Sequence, residues 1–506
     1  MRHAALLAVT LSALAAVACG SSSSDAEDRG PGGGIPGSGG GGGSGGVPVE
    51  SLNEFGYASE SEAGLGTQAS AAAAPVNTIC GSLDTTSIEK VEVFPIPAQS
   101  RASATRSREM LMRKQAPISV SLRTEDHLSY YRIGAGVAPA DALVPTVILR
   151  PLQIGGTVVP LRYQLFVGLE AGPISARPPV ALTVLVDTTP SMAGEPLERA
   201  KKSLRALADA LAPNDHLVVM TTQHELLFDQ ALVDPLANTK DLELQLAIGA
   251  DTTLRVPVQT ALEKASSLLG TEQWNRVVLI SDGQGDPDML PLDDIAAATS
   301  AGIRLGSVGV GGSYVIGDAL LYRAAQAGRG SYVYIDSPSE AEAMLKARFD
   351  EVFGVLYDAV QVTLDLPWFL KLLDDGSTAG PPQGDADPRA MAPGATLSFL
   401  FQVQSCADQA MTKYGTSYPL SVTTSWVKPS DQSIGSVTEV SKAADFLNMQ
   451  STALEEYLAA QAYVAALRAP TKARFADAFE LLNPLRQPDN AFDEMWNLLD
   501  AYPTKP

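Results

Sequence analysis

The chain has 506 residues, enough for roughly two to four domains with at least one sizeable core. Its 36 basic residues face 57 acidic ones, and the formal charge of -21 repels phosphate backbones over long range, which argues against nucleic-acid binding. Three cysteines cannot build a small disulfide scaffold and four histidines cannot furnish a His-rich metal cluster, so any metal chemistry has to come from oxygen ligands. The chain opens with MRHAALLAVTLSALAAVAC, one Arg followed by an apolar run from Ala4 to Ala18 that only Thr10 and Ser12 interrupt. That run is too short to span a bilayer and has the layout of a secretory signal. A Gly/Ser-rich stretch follows, and taking 19–75 as a flexible tether gives a random-coil reach on the order of 40 Å. No later stretch reaches ~18 uninterrupted apolar residues, so nothing else is expected to span.

Ala16, Val17 and Ala18, directly before Cys19, resemble the lipobox of bacterial lipoproteins. The resemblance implies a signal peptide over 1–18, cleavage before Cys19 and lipid on the Cys19 thiol. The chain would then sit in the bacterial cell envelope, held to the membrane by its lipid anchor alone. Gly20, standing where an Asp would retain some lipoproteins in the inner membrane, points to the outer one. Cys80 and Cys406 remain in an oxidising compartment, either as a disulfide or as two separate buried thiols.

The segment 76–175 reads as a β-rich flank. Strands are expected in VEVFPIP (Val91 to Pro97), in RTEDHLSYYRIG (Arg123 to Gly134) and in TVVPLRYQLFVGLEA (Thr157 to Ala171), with a short helix near Ser107 to Arg113. From Pro179 the pattern changes. VALTVLVD (Val180 to Asp187) is a continuous apolar run of the kind found in a strand buried on both faces. Leu197, Ala200, Leu204, Leu207 and Leu211 then recur at helical spacing, with Pro196 suited to a first turn. LVVMTTQ (Leu217 to Gln223), RVVLISDG (Arg276 to Gly283), IRLGSVGVG (Ile303 to Gly311) and SYVYID (Ser331 to Asp336) continue the strands. Helices are expected near Val258 to Leu268, Asp293 to Ser300, Asp318 to Ala327 and Glu340 to Phe353. The alternation predicts an α/β fold, a doubly wound, mostly parallel sheet over 178–354. Ligands of such folds bind beyond the carboxyl ends of the strands.

Three loops meet that edge. Asp187, Thr189 and Ser191 place a carboxylate and two hydroxyls on alternate residues of a tight turn; Thr252 precedes a helix; Asp282 ends a strand. Hard oxygen donors without thiolate or imidazole suit Mg2+ first, with Mn2+ and Ca2+ as alternatives. In this order the loops resemble the von Willebrand factor A (VWA) domain and its metal-ion-dependent adhesion site, Asp-x-Ser-x-Ser, then Thr, then Asp-Gly, and the match covers roughly Pro179 to Phe353. By this resemblance Thr189 and Ser191 coordinate the cation through their hydroxyls, Asp187 and Asp282 act through bound water, and Thr252 contacts the ion directly or through water. The sequence departs from the pattern at Thr189, where the first Ser stands, and at Pro190, where Gly is usual. A cation that keeps net positive charge and an open position accepts a carboxylate from a partner, so the resemblance implies a protein or extracellular-matrix ligand offering Asp or Glu. It implies binding, with no catalytic residue.

Downstream, YDAVQVTLDLP (Tyr357 to Pro367) and ATLSFLFQVQ (Ala395 to Gln404) alternate as half-buried strands in a second β-rich flank, 355–430. Together with 76–175 it is expected to form one discontinuous domain around the α/β unit, a layout that would bring Cys80 and Cys406 close. The tail, 440–506, reads as helices with stripes through Leu454, Tyr457 and Leu467 and through Phe475, Phe479 and Leu482, packing as a hairpin on the main body. Enzyme motifs fail on spacing: His224-Glu225 lacks a second His four residues after the first, and no phosphate loop ends in Gly-Lys-Ser/Thr. The expected function is an anchored surface lipoprotein that binds an acidic partner through a metal ion. The alternative is a structural or envelope-assembly lipoprotein whose metal site is idle.

Overall fold

The computed structural model describes Thr86, Ile88–Val93 and 100–503, apart from 135, 137, 155–156, 287, 289, 313–316, 374–388, 408 and 430. The signal segment, Cys19, the tether and Cys80 lie outside the described residues. Fifteen strands are described: β1 (Ile88–Val93), β2 (Leu143–Ile154), β3 (Thr157–Ala171), β4 (Val180–Val186), β5 (His216–Thr221), β6 (Leu226–Ala231), β7 (Trp274–Ser281), β8 (Ile303–Gly309), β9 (Arg329–Tyr334), β10 (Tyr357–Pro367), β11 (Leu370–Leu372), β12 (Arg389–Met391), β13 (Thr396–Ser405), β14 (Pro419–Val427) and β15 (Ile434–Lys442). Three of the helices are α1 (Ala102–Met112), α2 (Thr124–Tyr131) and α3 (Glu195–Asp209).

The central sheet runs β6-β5-β4-β7-β8-β9. Every pair in it is parallel except β5 with β6. Residues of β4 alternate between two cores because side chains of a strand point to opposite faces. Val184 and Val186 pack with Leu204 and Leu207 of α3 and with Met344, Leu345 and Phe349. Leu185 packs on the other face with helices Arg255–Ser267, Leu292–Ser300 and Asp318–Ala327, through Val258, Leu262, Ile295 and Leu321. The fold is therefore mixed α/β, with a doubly wound and mostly parallel six-stranded sheet.

The segments before and after this unit share sheets. Strand β1 pairs with β10, and β3 pairs with β13, both antiparallel. One sheet runs β1-β10-β14-β15 with β12 beside β10, and the other runs β11-β13-β3-β2. Leu165, Val167 and Leu169 of β3 meet Val360, Val362 and Leu364 of β10 in the core between them. Phe166, on the opposite face of β3, packs instead with Tyr457, Tyr463 and Leu467 of the helix Ala453–Arg468. The carboxy-terminal helices thus cover a sheet face that would otherwise be bare. Cys406 is disulfide-bonded. Among the described residues no helix is long and apolar enough to cross a membrane.

The stretch 123–134 is expected as a strand and is instead the helix α2, with Glu125 and Asp126 in its first turn where the helix dipole favours acids. The expected short helix at 107–113 is the longer α1, which starts at Ala102. Residues 340–353 form no single helix but a turn of helix at Pro338–Ala341, a π-helical stretch at Glu342–Ala347 and a final turn at Phe349–Phe353. Helix α1 lies against the edge of the central sheet: Ser100 bridges to Tyr332, the Arg101 amide donates to the Tyr332 carbonyl at 2.8 Å, and Thr105 Oγ1 donates to the Tyr334 carbonyl at 2.9 Å.

His127 of α2 is fully buried, its Nδ1–H directed at the Arg123 carbonyl 2.9 Å away and its ring edge against Tyr463. Burial holds its pKa at about 4, against an ordinary 6.5. The folded state therefore binds this proton more weakly than the unfolded chain, and stability present above pH 6.5 is lost as pH falls towards 4. Over that window the loss reaches about 3 kcal/mol. A series of thermal melts from pH 7 to 4 is expected to show this decline, and His127→Gln is expected to flatten it; an equal slope in the variant would remove His127 as its cause.

Candidate metal-binding loops

Strand β4 ends at Val186, and the chain leaves the sheet with Asp187 N–H donating to the Ile280 carbonyl at 2.8 Å. Thr189 is extended, with φ -61° and ψ 160°, the conformation that a residue before proline prefers. Pro190 then opens a single 3-10 turn, Pro190–Met192, where its fixed φ suits the first position. Proline in place of glycine is therefore accommodated by the local backbone. Gly194 follows with φ 84°, a conformation glycine reaches without strain, and α3 begins at Glu195.

The turn gathers its oxygens around Asp187, which is 2% exposed. Asp187 Oδ1 accepts from the Thr189 amide at 2.9 Å and from Thr189 Oγ1 at 2.8 Å. The Thr189 and Ser191 hydroxyl oxygens are 3.1 Å apart. Asp187 Oδ2 accepts from Ser281 Oγ at 2.6 Å, and Ser281 Oγ in turn accepts from the Gly283 amide at 2.9 Å. Ser281 thus joins the first loop to the one that carries Asp282. On the other side, the Thr188 amide donates to Thr222 Oγ1 at 3.0 Å, tying the turn to the end of β5.

Asp282 is 1% exposed, its Oδ1 accepts from the Gln284 amide at 3.0 Å, and its Oδ2 is buried without a hydrogen-bond partner. Burial pushes this carboxyl above its usual range. The Gln284 amide and the nearby Ser191 hydroxyl pull it back in part, and Asp187 adds to the rise. A glycine pair fixes its place: Gly283 has φ 70°, the Gly317 amide donates to the Asp282 carbonyl at 3.0 Å, and a Cβ on Gly317 would stand 1.6 Å from the Gly283 carbonyl oxygen.

Of the five expected site residues, Asp187, Thr189, Ser191 and Asp282 come together. Thr252 does not join them by a hydrogen bond among the described residues; its hydroxyl reaches only the Thr253 carbonyl, at 3.5 Å. Its loop nevertheless docks beside the site, the Gly249 amide donating to the Thr188 carbonyl at 2.7 Å and Gln223 Nε2 to the Ala250 carbonyl at 2.8 Å. Ser281 and Thr222 take part and were not foreseen. The Ser immediately before Asp282-Gly283 was the available signal, since a hydroxyl at a strand's carboxyl end can reach a neighbouring loop.

Two buried carboxylates, one of them with an orphaned oxygen, and two hydroxyls form a hard-oxygen donor set that suits a divalent cation. Thr189 and Ser191 would hold it through their hydroxyls, with Asp187 and Asp282 balancing its charge. Bound there, the ion would supply a positively charged coordination position for an anionic oxygen.

No family model matches the chain. Among curated proteins it is 25% identical over 225 residues to the uncharacterized protein sll0103 of Synechocystis sp., an alignment that takes in 42% of this chain and 51% of that one. It is also 25% identical over 194 residues to the uncharacterized protein YfbK of Escherichia coli, which takes in 36% of this chain and 33% of the other. The chain therefore spans between a third and about half of the length of these relatives. Among solved structures, a von Willebrand factor type A protein from Catenulispora acidiphila aligns with 72% of this chain and 96% of its own, at 15% identity and a TM-score of 0.41. That likeness concerns the fold alone.

Proposed function

We propose that the α/β unit binds a divalent cation, Mg2+ first, through Thr189 and Ser191 with Asp187 and Asp282 balancing its charge, and that the ion captures a carboxylate of a protein or matrix partner. The reading extends to a binding protein, not an enzyme, anchored in the cell envelope through lipid on Cys19, with the tether allowing the folded part to stand clear of the membrane. The observation that carries it is the meeting of the two hydroxyls, 3.1 Å apart, with buried Asp187 and with an Asp282 oxygen that has no hydrogen-bond partner. Leaving a carboxylate oxygen buried and unsatisfied is costly, and a cation with its waters satisfies it. Neutral hydroxyls in direct contact leave the ion net positive, which is what an acidic ligand needs.

The test is calorimetric titration of Mg2+ and Mn2+ into the full-length protein. Saturable binding is expected, weakened about tenfold or more in Asp187→Ala and in Asp282→Ala. One observation favours a second reading, a structural envelope lipoprotein with an idle site: the Thr252 hydroxyl stays outside the hydrogen-bonded cluster. Absence of metal binding by well-folded protein would select that reading.

A further inference from the structure

The opposite edge of the central sheet holds a different chemistry. Arg276, Arg304 and Arg329 stand near the amino ends of the adjacent strands β7, β8 and β9; Arg276 is paired with Arg304 across the ladder, and Arg329 with Leu305 next to Arg304. With Arg101, from the turn before α1, they line a cavity of about 60 Å³ between the sheet and the segment around β12. In a chain of formal charge -21, four arginines around one cavity run against the composition. Among the described lining residues there is one acid, Glu351, and it is already shared by Arg101, Arg132 and Arg348.

The guanidinium of Arg276 is the least balanced of the four. Arg276 is 5% exposed, donates from Nε to the Phe353 carbonyl and from Nη1 to the Asn275 carbonyl at 2.9 Å, and lies 5.7 Å from the centre of the Trp274 ring. These are neutral partners, and among the described residues the charged group that acts on it is another cation, Arg304. Burial, with Arg304 adding to it, pulls its pKa well below the ordinary value. Arg304 is compensated, donating to Asp358 Oδ2 at 3.1 Å and to the Arg329 carbonyl at 3.1 Å. Arg101 reaches Glu351 at 3.3 Å, but its Nε is buried without an acceptor. Arg329 holds φ 48°, between Gly328 and Gly330, a backbone conformation in which a side chain other than glycine is strained.

A buried guanidinium without a counter-charge is costly, and a planar fork of N–H donors matches the oxygens of phosphate and sulfate. The cavity has room for about four waters by the volume one water needs, or for one such anion in their place. We propose that this arginine-lined cavity is a binding site for a small doubly charged oxyanion of the phosphate or sulfate type, held by Arg276 with Arg101, Arg304 and Arg329. It is separate from the metal-binding loops, which lie at the other end of the strands.

The test uses the full-length protein in a chelator-containing, chloride-matched buffer, titrated with inorganic phosphate, with sulfate and with acetate, and followed by calorimetry and by Tm. Saturable binding of phosphate or sulfate with a rise in Tm is expected. Acetate should bind at least tenfold more weakly. Arg276→Met should abolish binding, and Asp187→Ala should leave it unchanged, since the metal loops take no part. Should Arg276→Met fail to fold, Arg329→Gly decides, because glycine adopts the φ already present there; it is expected to bind at least tenfold more weakly. No heat and no Tm shift at millimolar phosphate and sulfate, or binding that both variants retain at full strength, would overturn the proposal.

Discussion

Glu351→Gln is expected to destabilise the chain by about 3 to 5 kcal/mol at pH 7, the range seen when one partner of a buried ion pair is removed. The Glu351 side chain is 3% exposed and serves three arginines from three segments: Arg101, before α1, at 3.3 Å, Arg132, after α2, and Arg348. Burial pushes this carboxyl up, but Arg101, Arg348 and Arg132 together outweigh it and hold its pKa at about 2, against 4.5 in an unperturbed side chain. For an acid whose folded pKa is depressed, the stabilisation is present above the unfolded value and is lost as pH falls from 4.5 towards 2. The shift corresponds to about 3 kcal/mol, in line with the lower end of the expected loss. Glutamine keeps the shape and one acceptor but leaves buried Arg101, half-buried Arg348 and the more exposed Arg132 facing a neutral amide. Urea unfolding at pH 7 and at pH 3 measures both effects. The wild type should lose stability between the two, and the variant should lose markedly less; a variant within 1 kcal/mol of wild type at pH 7, a small fraction of the range above, would show that the three arginines are balanced elsewhere.

How much of this was legible in the sequence depends on what each segment buries. Strands β4 and β7 are buried along their whole lengths; β4 reads as an apolar run broken by Thr183 alone, and Val277 to Ile280 give the same signal in β7, whereas hydropathy does not mark its start at Trp274, Asn275 and Arg276. Strand β6 sits at the antiparallel edge with exposed or half-buried residues throughout, and QHELLFDQ carries no periodic signal. Strand β15 is similarly edge-placed, with no residue fully buried, and the sequence leaves it unassigned. Over helix α2 the local signals conflict: Tyr130 and Tyr131 favour a strand, while Thr124, Glu125 and Asp126 carry the opposite signal of a helix start. Its buried contacts are remote: Arg123 reaches Asp318 at 2.8 Å, and Tyr130 donates to Glu340 at 3.0 Å. Tertiary partners some 200 residues away decide the conformation there, and a local pattern holds no trace of them.

The site shows the same division. Asp187, Thr189, Ser191 and Asp282 could be picked out because loops after buried parallel strands are forced to one edge of the sheet. Ser281 carries one signal, its place directly before Asp282-Gly283, and Thr222 carries none, since a hydroxyl at the end of a strand is in most sequences an ordinary β residue. The network on α1 was equally hidden. Arg199 of α3 donates to the Gly311 and Ile335 carbonyls at 3.1 and 3.2 Å and to Glu109 of α1 at 2.7 Å, so the helix that follows the site turn is clamped to a helix from the amino-terminal flank. On the sequence, these residues are only charges on helical faces.

Gly317→Ala is expected to have a large effect on the candidate metal-binding loops. A Cβ at this position would stand 1.6 Å from the Gly283 carbonyl oxygen and 2.4 Å from its carbon, both backbone atoms, so rotation of a side chain cannot relieve the clash. Gly283 is confined too, with φ 70° and the Gly317 carbonyl oxygen 2.6 Å from its own would-be Cβ. Separating the two backbones strains the hydrogen bond from the Gly317 amide to the Asp282 carbonyl, and with it the placement of Asp282 beside Ser281 and Asp187. Overpacking of this kind costs about 1 to 3 kcal/mol, and the displaced carboxylate should weaken metal binding about tenfold or more, as loss of a supporting contact does. Gly302→Ala serves as the control, because Gly302 has φ 97° with nothing within 4 Å of the added Cβ and therefore meets backbone strain alone. That variant should lose about 1 kcal/mol and keep its metal affinity. Equal metal affinities in the two variants would mean that the backbone contact between Gly283 and Gly317 does not position Asp282, and that the loop is held by Ser281 and the Gln284 amide instead.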